Sequence, residues 1–487
     1  MGIFRRKKKS RVFPILFGSC LIIVVLLIFG AWYTSKKLSN MSILNTDFVR
    51  NTVVKEIGQD KAFLFDLMPA FLGFSKPQTY LVLLLNNTEL RPGGGFIGTY
   101  ATIEVDGGKM DILALDGTEN LDRNAPENWK VEPPAPMREY LDVDRWFFRD
   151  SNWSPDFRVD AERAMSFYAA EEGIAAGEID GVIGITPTVL EELLEIVGPV
   201  TVEGVEFTSE NVVETLEYQV EYAYKDKDIH KYDRKKIIQP LLLQVLEKMK
   251  EDILSEYRTY LNVAEALANQ KHILFYHTDE SVQQILEEED WAGRVASTDG
   301  DYLLWVDANL AALKTDEALQ RKLTYEIVRS GDDRYTARTT MEYTHTGNFD
   351  WRTSRYITYA RVYAPEGSTL IDVEGVLKSG ASITTDMVDI GTELGKQLFG
   401  TMFSIEPGQV KTLSFTYLLP EKIGQEDEYE LLVQKQLGSI EHTLTLDLDF
   451  ATLLQSAEPP EEEEEWYDGV YRYTTDLKVD REFRVKL

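Results

Sequence analysis

Tyr80-Leu-Val-Leu-Leu-Leu-Asn-Asn-Thr-Glu-Leu-Arg-Pro-Gly-Gly-Gly-Phe-Ile-Gly98 is the stretch on which the fold turns. Leu81 to Leu85 are continuously apolar, as in a strand buried on both faces. Asn86, Glu89 and Arg91 crowd the end of that strand, and Gly93 to Gly95 open backbone conformations closed to other residues. Thr99 to Val105 resumes as a strand. Asp106-Gly107 then signals a hairpin into Lys109 to Leu115. A buried strand ending in a charged, glycine-rich loop is where α/β folds usually place a ligand. Gly93-x-Gly95-x-x-Gly98 also matches the dinucleotide fingerprint, which requires a helix to start there. The β-branched Thr99, Thr102, Ile103 and Val105 argue for a strand, so the glycines read as a connection between strands.

Upstream, Phe13 to Tyr33 carries no charge, long enough for a membrane helix of about 20 residues. Arg5, Arg6, Lys7, Lys8, Lys9 and Arg11 precede it and predict a cytoplasmic N-terminus with an extracytoplasmic body. The expected layout is a basic tail at 1–11, a transmembrane helix at 12–33 and a helical juxtamembrane stalk at 34–75. The single cysteine, Cys20, falls inside the span, so the body folds without disulfides. The chain's net charge is -31, and with the six basic residues of the tail set aside the rest carries 45 basic against 82 acidic residues, or -37. Such a body repels nucleic acid, and no nucleic-acid partner is expected.

Downstream, the fold class is an α/β domain with a mixed sheet and helices at 76–320, then an all-β sandwich at 321–455. Ile179 to Ile185, the apolar stripe of Val189, Leu193 and Leu194, and Val200 to Phe207 make a strand–helix–strand unit. Thr186 and Pro187 are placed to open its helix as N-cap and first residue. From Leu323 the period changes to two: Tyr335, Ala337, Thr339, Met341 and Tyr343 alternate with Thr336, Arg338, Thr340 and Glu342. Residues 456–487 read as an acidic linker followed by a strand segment.

The candidate site residues are Asn86, Glu89 and Arg91, with Arg149, Asp150, Asn152 and Asp156 from the aromatic-rich Trp146 to Phe157 loop. Two arginines suit bidentate clamping of a phosphate or carboxylate. Asp150 and Asp156 with Asn86 offer oxygen ligands for a hard divalent ion. Against this stands a structural reading, which carries more weight: Glu89, Arg91 and Asp150 form ion pairs that brace loops, and Trp153 and Phe157 pack. The five histidines show no zinc-binding spacing, and no Gly-x-Ser-x-Gly elbow occurs.

Leu84 to Gly98, Arg149-Asp-Ser-Asn-Trp-Ser-Pro-Asp-Phe157, Asp180-Gly-Val-Ile-Gly-Ile185, Gly198-Pro-Val200 and Asp307-Ala-Asn309 with Lys314 together resemble a bacterial domain-of-unknown-function family, number 4012. The resemblance covers about 76–320. Arg158-Val159 departs from the Pro-Thr usual after Asp-Phe. The resemblance implies a membrane-anchored bacterial envelope protein and does not supply an activity. A weaker similarity is to the LytR–CpsA–Psr family, which transfers glycopolymers from polyprenyl-pyrophosphate carriers to the cell wall. Arg91, and less closely Arg149-Asp150, fall where that family binds pyrophosphate and metal, but its Arg-Ser-Asp motif is missing. The favoured expectation is a non-enzymatic module binding a cell-wall polymer or an envelope protein. The alternative is a phosphotransferase, under which alone a magnesium cofactor is expected.

Overall fold

The computed structural model describes residues 54–55, 58–59, 61–331, 334–461 and 468–487. The expected basic tail and transmembrane helix at 12–33, most of the stalk and the middle of the acidic linker lie outside them. Among the described residues no helix is long and apolar enough to cross a membrane.

Strand β1 (Gln78–Asn86) is the centre of the first sheet. Its residues alternate between two cores. Leu81, Leu83 and Leu85 join one, and Tyr80 and Val82 join the other. A strand covered on both faces needs apolar residues at every position, which is why the run is unbroken. β2 (Phe96–Asp106) pairs antiparallel with β1, and β3 (Lys109–Gly117) with β2. Gly107 and Gly108 have φ of 56° and 79°, the left-handed pair that a tight hairpin requires. On the other side β4 (Ile179–Ile185) runs parallel to β1. β5 (Val200–Val202) and β6 (Val205–Phe207) form a separate hairpin. β7 (Ile273–His277) closes the order β3-β2-β1-β4-β7.

Helices cover both faces. α1 (Phe63–Phe71) buries Leu64, Leu67, Met68 and Phe71 against the sheet. This part of the expected stalk is therefore a core element, because its apolar residues recur at helical spacing and find the sheet. α2 (Phe157–Ala170) covers the opposite face with Phe157, Ala161, Ala164 and Tyr168. α3 (Thr188–Val197), α4 (Val212–Tyr218), the 32-residue α5 (Ile238–Asn269) and α6 (Glu280–Glu288) lie on the α1 side. Thr186 does not cap α3: its hydroxyl hydrogen-bonds the Nδ1 of buried His272 at 2.9 Å.

The β-rich half is two sheets over one core. β8 (Asp301–Asn309), β11 (Tyr356–Pro365), β13 (Asp389–Glu393), β14 (Lys396–Ile405), β16 (Glu428–Gln434), β18 (Ser456–Glu458) and β20 (Arg481–Lys486) make one sheet. β9 (Leu319–Arg329), β10 (Tyr335–His345), β12 (Thr369–Glu374), β15 (Val410–Leu418), β17 (Thr443–Asp449) and β19 (Val470–Asp476) make the other. Two boundaries differ from the sequence reading. β8, counted with the α/β segment, pairs β11 and β16 inside the sandwich. All nine of its residues are buried, Leu303 and Trp305 toward the sandwich core, so it shows no period of two. The C-terminal residues are likewise built in, β19 pairing β17 and β20 pairing β16.

Candidate functional site

β1 ends at Asn86, and a 3-10 turn (Asn87–Glu89) carries the chain to Leu90 and Arg91. The sandwich clamps this point: Asn309 N–H donates to the Leu90 carbonyl at 2.9 Å, and Leu90 N–H donates to Asp316 Oδ2 at 3.0 Å. Gln436 reaches in from the β16–β17 connection and donates to the Arg91 carbonyl at 3.2 Å.

Arg91 is 3% exposed. Its Nη1 donates to the Asn309 carbonyl, and its Nη2 lies 3.7 Å from both Glu89 Oε1 and Asp150 Oδ1. Its guanidinium sits 5.4 Å above the Phe96 ring. Burial raises the Asp150 carboxyl above the usual range, and Arg91 and Arg149 partly offset that. Burial likewise raises Glu89, opposed by Arg91 and by Lys314, whose Nζ is 3.8 Å away. Arg149 is a second positive charge acting on Asp150, but its Nε donates to buried Asp122. Behind that pair lies fully buried Glu171, whose Oε1 accepts the Phe148 N–H at 2.9 Å. Burial first, and the neighbouring Asp122 second, push Glu171 up to about 8.

The structure thus gathers Glu89, Arg91, Asp150 and Arg149, and disperses the other three candidates. Asn86 Oδ1 accepts the Thr88 hydroxyl at 2.8 Å. Asn152 Nδ2 donates to the Gly95 carbonyl at 2.6 Å, pinning the glycine turn. Asp156 caps α2 through Oδ1 and takes Arg294 Nε at 2.9 Å on Oδ2. The oxygen set read as a divalent-ion site is therefore divided among three separate tasks. Among the described residues no group of three or more His, Cys, Asp or Glu is arranged to hold a metal.

Sequence reasoning missed the polar network under Leu90. Arg321 donates to Asp307 Oδ2 at 3.0 Å, Asp316 Oδ1 at 2.6 Å and the Tyr356 hydroxyl at 3.0 Å. Tyr343 donates to Asp307 Oδ1 at 2.8 Å. Asp307 and Lys314 carried a signal through the resemblance motif. Arg321 carried none, because it occupies one place in an alternating strand.

Residues 75–221 match the model of DUF4012, a protein family of unknown function. The match takes in β1, the glycine turn, the Trp146 to Phe157 loop, α2, β4 and α3. No curated protein matches. Among solved structures, the chain is similar to a putative protease from Parabacteroides distasonis ATCC 8503 at 10% identity and TM-score 0.22, covering 35% of this chain and 41% of that one. A putative nutrient binding protein from Legionella pneumophila gives 7% identity and TM-score 0.26 over 38% and 71%. An M1 zinc metallopeptidase from Deinococcus radiodurans gives 12% and 0.18 over 35% and 42%. The chain spans less than half the length of the protease and the metallopeptidase, and scores this low carry no argument.

Proposed function

We propose that the chain is a membrane-anchored protein of the bacterial cell envelope whose body binds a surface polymer or a partner protein without catalysing a reaction. The uncharged Phe13 to Tyr33 run behind six basic residues supports the anchor. The observation that carries the non-enzymatic reading is that both arginines already meet carboxylates of the protein itself. Arg91 is buried between Glu89 and Asp150, and Arg149 is paired to Asp122. A pyrophosphate clamp needs both guanidinium groups free to meet the ligand. Here they neutralise the protein's own carboxylates and tie the glycine turn to the sandwich, which favours a rigid scaffold over the phosphotransferase alternative.

Two measurements test this. Protease added to intact spheroplasts is expected to digest the body, and survival of the full chain there refutes the topology. Mass spectrometry of the detergent-extracted protein is expected to find no bound polyprenyl phosphate. A stoichiometric polyprenyl phosphate that is lost in Arg91→Ala would return the reading to glycopolymer transfer.

A further inference from the structure

Lys225-Asp-Lys-Asp-Ile-His-Lys-Tyr-Asp-Arg-Lys-Lys236 holds six basic residues against three acidic ones, in a chain whose net charge is -31. Its 3-10 segment (Lys231–Ile237) stands between two open clefts of about 500 Å³ and 440 Å³, and Asp233 and Lys236 line both. Four of the six are paired: Lys236 meets Asp233 at 2.8 Å, Lys227 meets Glu203 at 3.3 Å, and Lys235 and Arg234 share one carboxylate. Lys235 and Arg234 meet Glu119 at 2.6 Å and 3.1 Å, and Lys235 also donates to the Gly98 carbonyl, so both fasten the segment to the β2–β3 side of the sheet. Arg123, at the mouth of the larger cleft, has no carboxylate within 4 Å among the described residues. Its guanidinium lies 3.9 Å over the Tyr232 ring, and it donates to Asn120 Oδ1 at 3.3 Å. Asn120 is itself oriented by Asp116 at 2.6 Å and by the Tyr232 carbonyl at 3.1 Å.

The helical run that leads into this segment carries an aromatic cluster. Tyr218 precedes the π turn (Gln219–Ala223), Tyr222 lies within it, and the two rings stack at 6.1 Å with 12° between their planes. Both meet Trp351 edge-on, at 5.7 Å and 5.2 Å. They are 44% and 37% exposed, and Lys225 Nζ sits 4.9 Å over the Tyr222 ring. Exposed aromatics gathered in a patch mark an interaction surface, and π turns are frequent at functional sites.

We propose that this face is the binding site for an acidic polysaccharide, with a sugar carboxylate on Arg123 in the larger cleft and sugar rings packed on Tyr232 and on the Tyr218–Tyr222–Trp351 cluster. The proposal rests on the polymer-binding reading above and adds the place and the chemical class. A guanidinium held over an aromatic ring keeps its charge and suits a carboxylate. Asn120 and Gln239 beside it offer the amide donors and acceptors that hydroxyl groups take. Asp116 and Asp233 line the same cleft and oppose any polyanion, so the hydroxyl contacts to Asn120 and Gln239 are what separate a polyuronate from nucleic acid. The acidic remainder of the body is screened beyond about 8 Å at physiological salt, so local groups decide.

The test uses the full chain in detergent and a fluorescent hexamer of galacturonic acid, its carboxyl-reduced neutral counterpart and a single-stranded oligonucleotide of equal charge. The uronate hexamer is expected to bind. Arg123→Gln and Tyr232→Ala should each weaken it tenfold or more, Trp351→Ala several-fold, and Lys478→Gln, on the sandwich, not at all. The neutral hexamer should bind at least tenfold more weakly than the uronate. Arg123→Gln should melt as the parent does, since it removes no ion pair. No uronate binding, unchanged binding in Arg123→Gln and Tyr232→Ala, equal binding of the neutral hexamer, or tighter binding of the oligonucleotide each overturns the inference. Sedimentation with purified envelope polymer separates the two levels. Retention by the Arg123→Gln/Tyr232→Ala double variant overturns this face alone, and no sedimentation of the parent overturns the polymer reading itself.

Discussion

Glu171→Gln isolates the proton that the candidate site holds. Glu171 is fully buried just after α2 and neighbours Asp122, the partner of Arg149. Glu171 Oε2 and Asp122 Oδ1 are both buried without a hydrogen-bond partner, and a proton held between the two carboxyls would serve both. Burial first, then Asp122, push Glu171 from 4.5 to about 8. Between those values the folded chain holds a proton that the unfolded chain has released. The folded state binds more protons there, so stability falls as pH rises from about 4.5 to about 8, then levels off. Each pH unit is worth roughly 1.4 kcal/mol, giving roughly 5 kcal/mol over the window as an upper limit. Glutamine keeps the geometry without the titration: its Oε1 accepts from Phe148 N–H, and its Nε2 donates to Asp122. Urea unfolding at pH 5, 6.5 and 8 is expected to give similar midpoints for variant and parent at pH 5. At pH 8 the variant should be more stable, by several kcal/mol. Parallel pH profiles, or a variant less stable at pH 8, would refute the shared proton.

Arg91→Ala leaves Glu89 and Asp150 without their common cation, and removing one member of a buried pair costs about 3–5 kcal/mol. Thermal melting should fall clearly, Asp150→Asn in the same chain should restore part of the loss, and an unchanged melt would contradict the bracing role. Gly93→Ala puts a Cβ 2.0 Å from Asp160 Oδ2 and 2.8 Å from Asn152 Cβ, whereas Gly107→Ala meets nothing within 4 Å. The first should therefore destabilise well beyond the second, whose cost is the roughly 1–2 kcal/mol of a left-handed residue; equal melting of the two would count against the packing of the turn. A chain ending at Glu461 loses β19 and β20 and the Asp480 carboxylate that holds buried Lys271 at 2.9 Å. It should fail to unfold cooperatively, and a protease-resistant truncated body would overturn the placement of these strands.

Local pattern carried β1, the hairpin at Asp106 and the alternation of β10, because each is decided by neighbours within a few residues. It failed where a strand's environment is set from afar. β8 is covered by the sandwich core on one face, through Leu303 and Trp305, and by Tyr302, Leu304 and Val306 on the other, so its sequence resembles an α/β strand. The candidate cluster divides the same way. Glu89, Arg91 and Asp150 were legible as mutually compensating charges. Asp122, the true partner of Arg149, sits in a polar loop like many others. The glycine triplet shows the reason most sharply. A Cβ on Gly93 would meet Asp160, one on Gly94 would touch Leu85, and one on Gly95 would strike the Asn86 backbone. Gly438, from the far side of the chain, has no room for a Cβ because the Gly94 carbonyl is 2.1 Å from where it would stand. A motif search credits such spacing to phosphate binding. The geometry credits it to strands, loop and sandwich converging on one turn, and that demand for space leaves no periodic trace in the sequence.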